Sequence, residues 1–159
     1  YSPIKPKKMK NIKILFGLLF LIMLHSCDKE CFSPPDPFRL VLLNSDGYSI
    51  ITSSNEDNIK LFIADSNNNV EIPANVLQYY DVAQDVNTYY IESSDLAWKS
   101  IEGTKNYLLT IANDSISLGV DVFTKTVDKC TTHPYNIVSC DGQLVTEYNN
   151  NIGAFIAVK

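Results

Sequence analysis

Two kinds of apolar pattern divide the chain. Ile14 to Leu24 is an unbroken run of 11 apolar residues, and it follows Lys5, Lys7, Lys8, Lys10 and Lys13. Beyond Pro37 the apolar positions come in short stretches, several alternating with polar ones and separated by Gly, Asn, Asp or Pro. Alternation with period two marks a strand with one buried face.

Phe38 to Asn44 reads as a buried strand, Asp46-Gly47 as a tight turn and Tyr48 to Thr52 as the returning strand. Glycine suits such a turn because it accepts positive φ without a steric cost. Ile59, Leu61 and Ile63 define a further strand, and Asp65 to Asn69 a turn before Val70-Glu71-Ile72 and Pro73. Val76 to Asp81 and Thr88 to Glu92 are less regular strand candidates. Ser94 to Lys99 fits one helical turn capped by Ser94. Tyr107, Leu109 and Ile111 alternate on one side of Asn113-Asp114, and Ile116, Leu118, Val120 and Val122 on the other, which predicts a hairpin of Asn106 to Ala112 with Ser115 to Thr126. Tyr135 to Ser139 and Gln143 to Glu147 flank Asp141-Gly142 as a second hairpin, and Gly153 to Lys159 forms a last strand. The pattern predicts an all-β sandwich of about seven strands.

The first apolar run is too short to span a bilayer, which needs roughly 18 or more residues. Behind a lysine cluster it has the form of a secretory signal peptide, with Met9 as the expected start and Tyr1 to Lys8 as upstream sequence. Leu24-His25-Ser26-Cys27 resembles the lipobox of bacterial lipoproteins: an aliphatic residue first, a small residue before the cysteine, the cysteine last, with His25 an unusual occupant of the tolerant second place. The resemblance implies lipidation of Cys27, which ties a protein to a membrane without crossing it. The predicted organisation is residues 1–26 as signal peptide with upstream extension, 27–37 as lipidated tether and 38–159 as β domain. Ser33-Pro34-Pro35-Asp36-Pro37 stiffens the tether.

Cleavage before Cys27 leaves 133 residues, one domain's worth of chain. That portion holds all 18 acidic residues and 8 basic ones, a net charge near −10. Nucleic acid is thereby excluded as an expected partner, since binding its phosphates demands positive surface. Cys31, Cys130 and Cys140 remain after the lipid cysteine, so at most one intramolecular disulfide forms among them. Cys130–Cys140 is the expected pair, and Cys31 with either is the alternative.

The chain also resembles the small lipoproteins common in Bacteroidota. The carrying features are the Cys27 start, the Pro-rich approach to Phe38-Arg39-Leu40-Val41, the Tyr107-Leu108-Leu109-Thr110-Ile111 hairpin, the late cysteine segment and the Asp141-Gly142 turn. The resemblance implies an immunoglobulin-like sandwich in the cell envelope, at the outer membrane, with the periplasmic and surface faces both open. Asp28-Lys29-Glu30 partly matches the group's surface-export signal, and Asp114-Ser115-Ile116 matches its O-glycosylation pattern, with Ser115 the acceptor.

Catalytic chemistry is sparsely supplied. His133 is the one histidine after Cys27, in a predicted solvated loop, and no glycine-flanked serine elbow exists. Cys130, His133 and Cys140, with Cys31 or Asp141, contain zinc-type ligands but lack paired C-x-x-C spacing. Asp65, Asn67 and Asn69 copy the start of a calcium loop, whose glycine and twelfth-place acid are replaced by Val70 and Val76. No metal or cofactor is expected. Tyr79, Tyr80, Tyr89, Tyr90 and Trp98 are a candidate aromatic patch for a protein or glycan ligand. The expected function is a membrane-anchored, non-catalytic binding or accessory module. The alternatives are an assembly subunit with an open first or last strand, and a hydrolytic enzyme using a carboxylate pair or His133.

Overall fold

The structure, a computed structural model, describes residues 31–65, 68–82 and 84–159. Among them are fourteen strands, one 3-10 turn (Glu56–Asn58) and one helix. In chain order the strands are β1 (Cys31–Phe32), β2 (Phe38–Leu43), β3 (Ile59–Ile63), β4 (Val70–Ile72), β5 (Asn75–Asp81), β6 (Val86–Ser93) and β7 (Asn106–Ile111). They continue with β8 (Asp114–Val122), β9 (Lys125–Val127), β10 (Cys130–Thr132), β11 (Tyr135–Cys140), β12 (Gln143–Leu144), β13 (Glu147–Asn149) and β14 (Ala154–Val158). The helix α1 (Ser94–Ile101) separates β6 from β7.

These strands make three sheets, ordered β12-β11-β8-β7-β3-β4, β13-β14-β2-β6-β5 and β1-β10-β9. The two larger sheets share one hydrophobic cluster. Phe38, Leu40, Leu42, Ile91 and Ala157 come from the five-stranded sheet, and Leu61, Tyr107, Leu109, Ile116, Leu118 and Val138 from the six-stranded one. Alternation does this: along β7 and β8 every second side chain is buried and those between are wet or half-wet. The mostly-β expectation holds. The count of seven strands does not, because one sheet alone has six and a third sheet lies outside the shared cluster.

The two late hairpins form in the expected places. Ile111 pairs with Asp114 at the first, and Cys140 with Gln143 at the second, where Asp141 and Gly142 both take positive φ. The Asp46-Gly47 turn closes more weakly: Tyr48 to Thr52 forms no strand, and only Leu43 bridges to Ser49. Asn44 Oδ1 holds this turn by accepting hydrogen bonds from the Asp46 and Tyr48 amides. The first and last long strands are interior. β2 lies between β14 and β6, and β14 runs parallel to it, with Phe155 opposite Leu40 and Val158 opposite Leu43. Neither supplies an open edge.

Local chemistry builds α1 as a full helix rather than the predicted single turn. Its cap is Ser93, not Ser94: Ser93 Oγ accepts from the Leu96 amide and donates to the Pro73 carbonyl. Asp95 in the first turn and Lys99 in the last suit the helix dipole. Gly103, at φ +103, ends it, with the Gly103 amide on the Ser100 carbonyl and the Thr104 amide on that of Lys99. Tyr107, fully buried on β7, ties the helix down through its hydroxyl, which meets Ser100 Oγ at 2.9 Å and donates to the Leu96 carbonyl at 3.2 Å.

The disulfide joins Cys31 to Cys130 and leaves Cys140 a free, buried thiol. The expected Cys130–Cys140 pair is therefore replaced by one of its alternatives. Cys130 sits on β10 in the small sheet, whereas Cys140 ends β11 with its side chain in the shared core. Burial pushes the Cys140 thiol above its ordinary pKa, and the Asp141 carboxylate adds to the shift, so the group stays protonated and inert.

Candidate functional site

α1 turns Leu96, Ala97 and Ser100 inward and leaves Trp98 on the outer side, 40% exposed. Phe32 of β1, 57% exposed, stacks on Trp98 with ring centroids 5.9 Å apart and planes at 24°. On its other contact Phe32 meets the His133 ring edge-on at 5.4 Å. The three rings form a short row, exposed at Trp98 and Phe32 and closed at His133. His133 is only 8% exposed, which corrects the expectation of a solvated loop residue. Its Nδ1 lies 3.3 Å from Thr124 Oγ1, and its Nε2 is buried without a hydrogen-bond partner.

The predicted aromatic patch is divided. Adjacent strand residues point to opposite faces, so Tyr79 separates from Tyr80 and Tyr89 from Tyr90. Tyr79 and Tyr90 meet edge-to-face at 6.2 Å, on the face of the five-stranded sheet that carries Glu92. Burial raises the Tyr79 phenol above its ordinary pKa, and Asp81 reinforces the shift. Tyr89 turns the other way and packs against the core. Tyr80 shares that orientation near the open end of β5 and hydrogen-bonds Asp85, whose carboxylate holds the phenol above its ordinary range. Trp98 therefore has Phe32 as its aromatic neighbour rather than any of these tyrosines. Sequence reasoning missed Phe32, an isolated aromatic beside a proline-rich stretch with no periodic signal around it.

The other candidates are scattered. Ser115 is exposed at the start of β8, next to the turn of the β7–β8 hairpin. Cys27, the lipobox, Asp28-Lys29-Glu30 and the whole leader lie outside the described residues, as does Asn67 of the calcium-like turn. Among the described residues no group of three or more His, Cys, Asp or Glu side chains gathers as a metal site, and the Cys31–Cys130 bond removes two of the thiolates a zinc set would need. Also among the described residues, no helix is long and apolar enough to cross a membrane.

Surface hollows of about 170, 410, 300 and 280 Å³ lie among the described residues. None is lined by His133 or by more than one carboxylate. The one carboxylate of the 410 Å³ hollow, Glu71, faces Lys60 at 3.5 Å. The least exposed ion pair among the described residues, Arg39 Nε donating to Glu92 Oε2 at 2.6 Å, serves the fold, because Arg39 also donates to the Ile152 carbonyl and so fastens the loop before β14. Compared with protein-family models, curated proteins and solved structures, the chain matches none of them.

Proposed function

We propose that this is a lipid-anchored protein of the cell envelope whose β domain is a non-catalytic binding module. The single observation that carries the binding half is the exposed Phe32–Trp98 stack. Aromatic side chains kept partly in water, rather than folded into the core, present flat apolar area to a sugar ring or a peptide at little entropic cost. The anchoring half rests on the lipobox at Leu24 to Cys27. The immunoglobulin-like reading of the sandwich belongs to the same proposal. Two sheets around one core support it, while the parallel β2–β14 pair and the third sheet depart from it.

Trp98 is the chain's one tryptophan, so its emission reports on the stack alone. Titrating the full chain with oligosaccharides and solubilised proteins from its own envelope should produce a saturable emission shift with one ligand class. The Trp98→Ala chain should bind that class far more weakly by calorimetry. Unchanged emission across the whole set, or equal affinity in Trp98→Ala, overturns the binding reading. Cys27→Ala should move the protein out of the membrane fraction, and unaltered fractionation overturns the anchor.

A further inference from the structure

The described sheet edges are unequal. β1 and β12 have two residues each, and β4, β9 and β13 have three. β5, the remaining edge, has seven, and all seven pair with β6 in unbroken register. An edge strand exposes a row of unpaired backbone groups, and proteins normally shield it by shortening, by lysines, by proline or by a bulge. The other edges here are shortened. β5 is long and free of bulges, and its sequence Asn-Val-Leu-Gln-Tyr-Tyr-Asp contains no lysine and no proline. Leu77 on one face is 37% exposed and Tyr80 on the other is 55% exposed.

We propose that β5 is a self-association edge that pairs antiparallel with β5 of a second copy of this chain. The sequence is self-complementary about Gln78. With a two-fold axis there, Gln78 faces its own counterpart, Leu77 faces the partner's Tyr79, Val76 faces the partner's Tyr80, and Asn75 faces the partner's Asp81. Apolar meets apolar at each apolar position, and aliphatic–aromatic cross-strand pairs are among the favourable ones. The strand's one charge meets an amide. A parallel, in-register pairing would oppose Asp81 to its own counterpart, and an antiparallel register shifted by one residue either way would oppose Gln78 to an apolar side chain. Since the axis stands perpendicular to the sheet, the two five-stranded sheets would join into one sheet twice as wide, with both hydrophobic cores on the same side. This inference is independent of the lipid anchor and of the Trp98 stack.

The test places a thiol at the axis. Gln78 is exposed, Cys140 is buried, and Cys31 is bonded to Cys130, so a new cysteine at 78 is the accessible thiol among the described residues. In whole cells producing the full chain, mild oxidation of Gln78→Cys should give about tenfold more disulfide-linked dimer than Ser115→Cys, an exposed control on the other large sheet, because pairing raises the effective thiol concentration whichever fraction then holds the protein. A yield no higher than the control, or a crosslink to a different protein, overturns the proposal. In a second arm, differently tagged full chains are solubilised and co-purified. Gln78→Lys or Gln78→Glu in both copies should weaken recovery about fivefold, and mixing the two should restore it. Recovery from the mixture no better than from either charge alone also overturns it.

Discussion

The two larger sheets and the small sheet β1-β10-β9 are held by different means. In the larger pair, seventeen buried side chains from both sheets, α1 and the segment at Ile51 form one cluster, with Leu40, Leu42, Tyr107 and Leu109 fully buried. The small sheet contributes none of them: β9 is exposed throughout, and β1 likewise. Its fasteners are the Cys31–Cys130 disulfide, the Thr132 hydroxyl on the Lys125 carbonyl, the Ser33 amide on the Thr131 carbonyl and the Phe32 ring against Trp98 and His133. Even its turn is costly, since Asp128 and Lys129 both hold positive φ without being glycine. Hydrophobic burial makes one part cooperative, while a crosslink keeps the other in place. The exposed Phe32–Trp98 stack sits where the two meet.

The contrast can be broken most strongly in the core. Leu40→Ala should lower unfolding free energy by about 2–5 kcal/mol, read from the denaturant midpoint, because the cavity lies between two sheets that cannot close on it. A loss no larger than that of an exposed substitution would erase the distinction. The double change Cys31→Ser with Cys130→Ser should cost about 1–2 kcal/mol, below the usual range for a disulfide, since the strands it fastens bury no core. Its sharper signature is local: faster amide exchange in β9 and β10, and an altered Trp98 emission as Phe32 loosens. Exchange that quickens equally in β7 and β8 would show that the small sheet supports the sandwich after all.

The least effect belongs to a surface charge. Asp121 accepts from Asn136 and pairs with Lys105, and these contacts hold its carboxyl below the ordinary aspartate pKa. A lowered folded-state pKa means the contribution is present above the ordinary aspartate value and disappears as pH falls through the lowered one. Asp121→Asn should therefore lose less stability on acidification than the natural chain. Parallel loss in both would remove Asp121 from the account.

What could be read from the sequence follows the range of the physics. The β7–β8 and β11–β12 hairpins were legible because alternation and turn residues are local signals, carried by Tyr107 to Val122 and by Asp141-Gly142. The split of the tyrosine pairs was missed, since the expected patch grouped all four with Trp98, although a period of two places neighbours on opposite faces. The β2–β14 pairing was not legible, because nothing local in Phe38–Leu43 names Ala154–Val158 as its neighbour. The cysteine pairing failed for a related reason. Nearness in sequence favoured Cys140, but the core took that side chain, and strand pairing took Cys130 into a different sheet. The helix was underestimated at its C-terminal end, where Ser100 and Ile101 extend it past Lys99, and its cap lies one residue earlier than expected, at the last position of β6.

The parallel seam between β2 and β14 also sets an order of assembly. A ribosome or translocon delivers residues 38–43 long before residues 154–158, and until the latter emerge β2 has only β6 beside it. The six-stranded sheet has no such wait, since each of its strands lies within residues 59–144. Vectorial delivery thus leaves half of the sandwich unfinished to the end, with Leu40 and Leu42 on a strand that still lacks one neighbour. Closure then depends on a contact between distant parts of the chain, the kind that slows folding most.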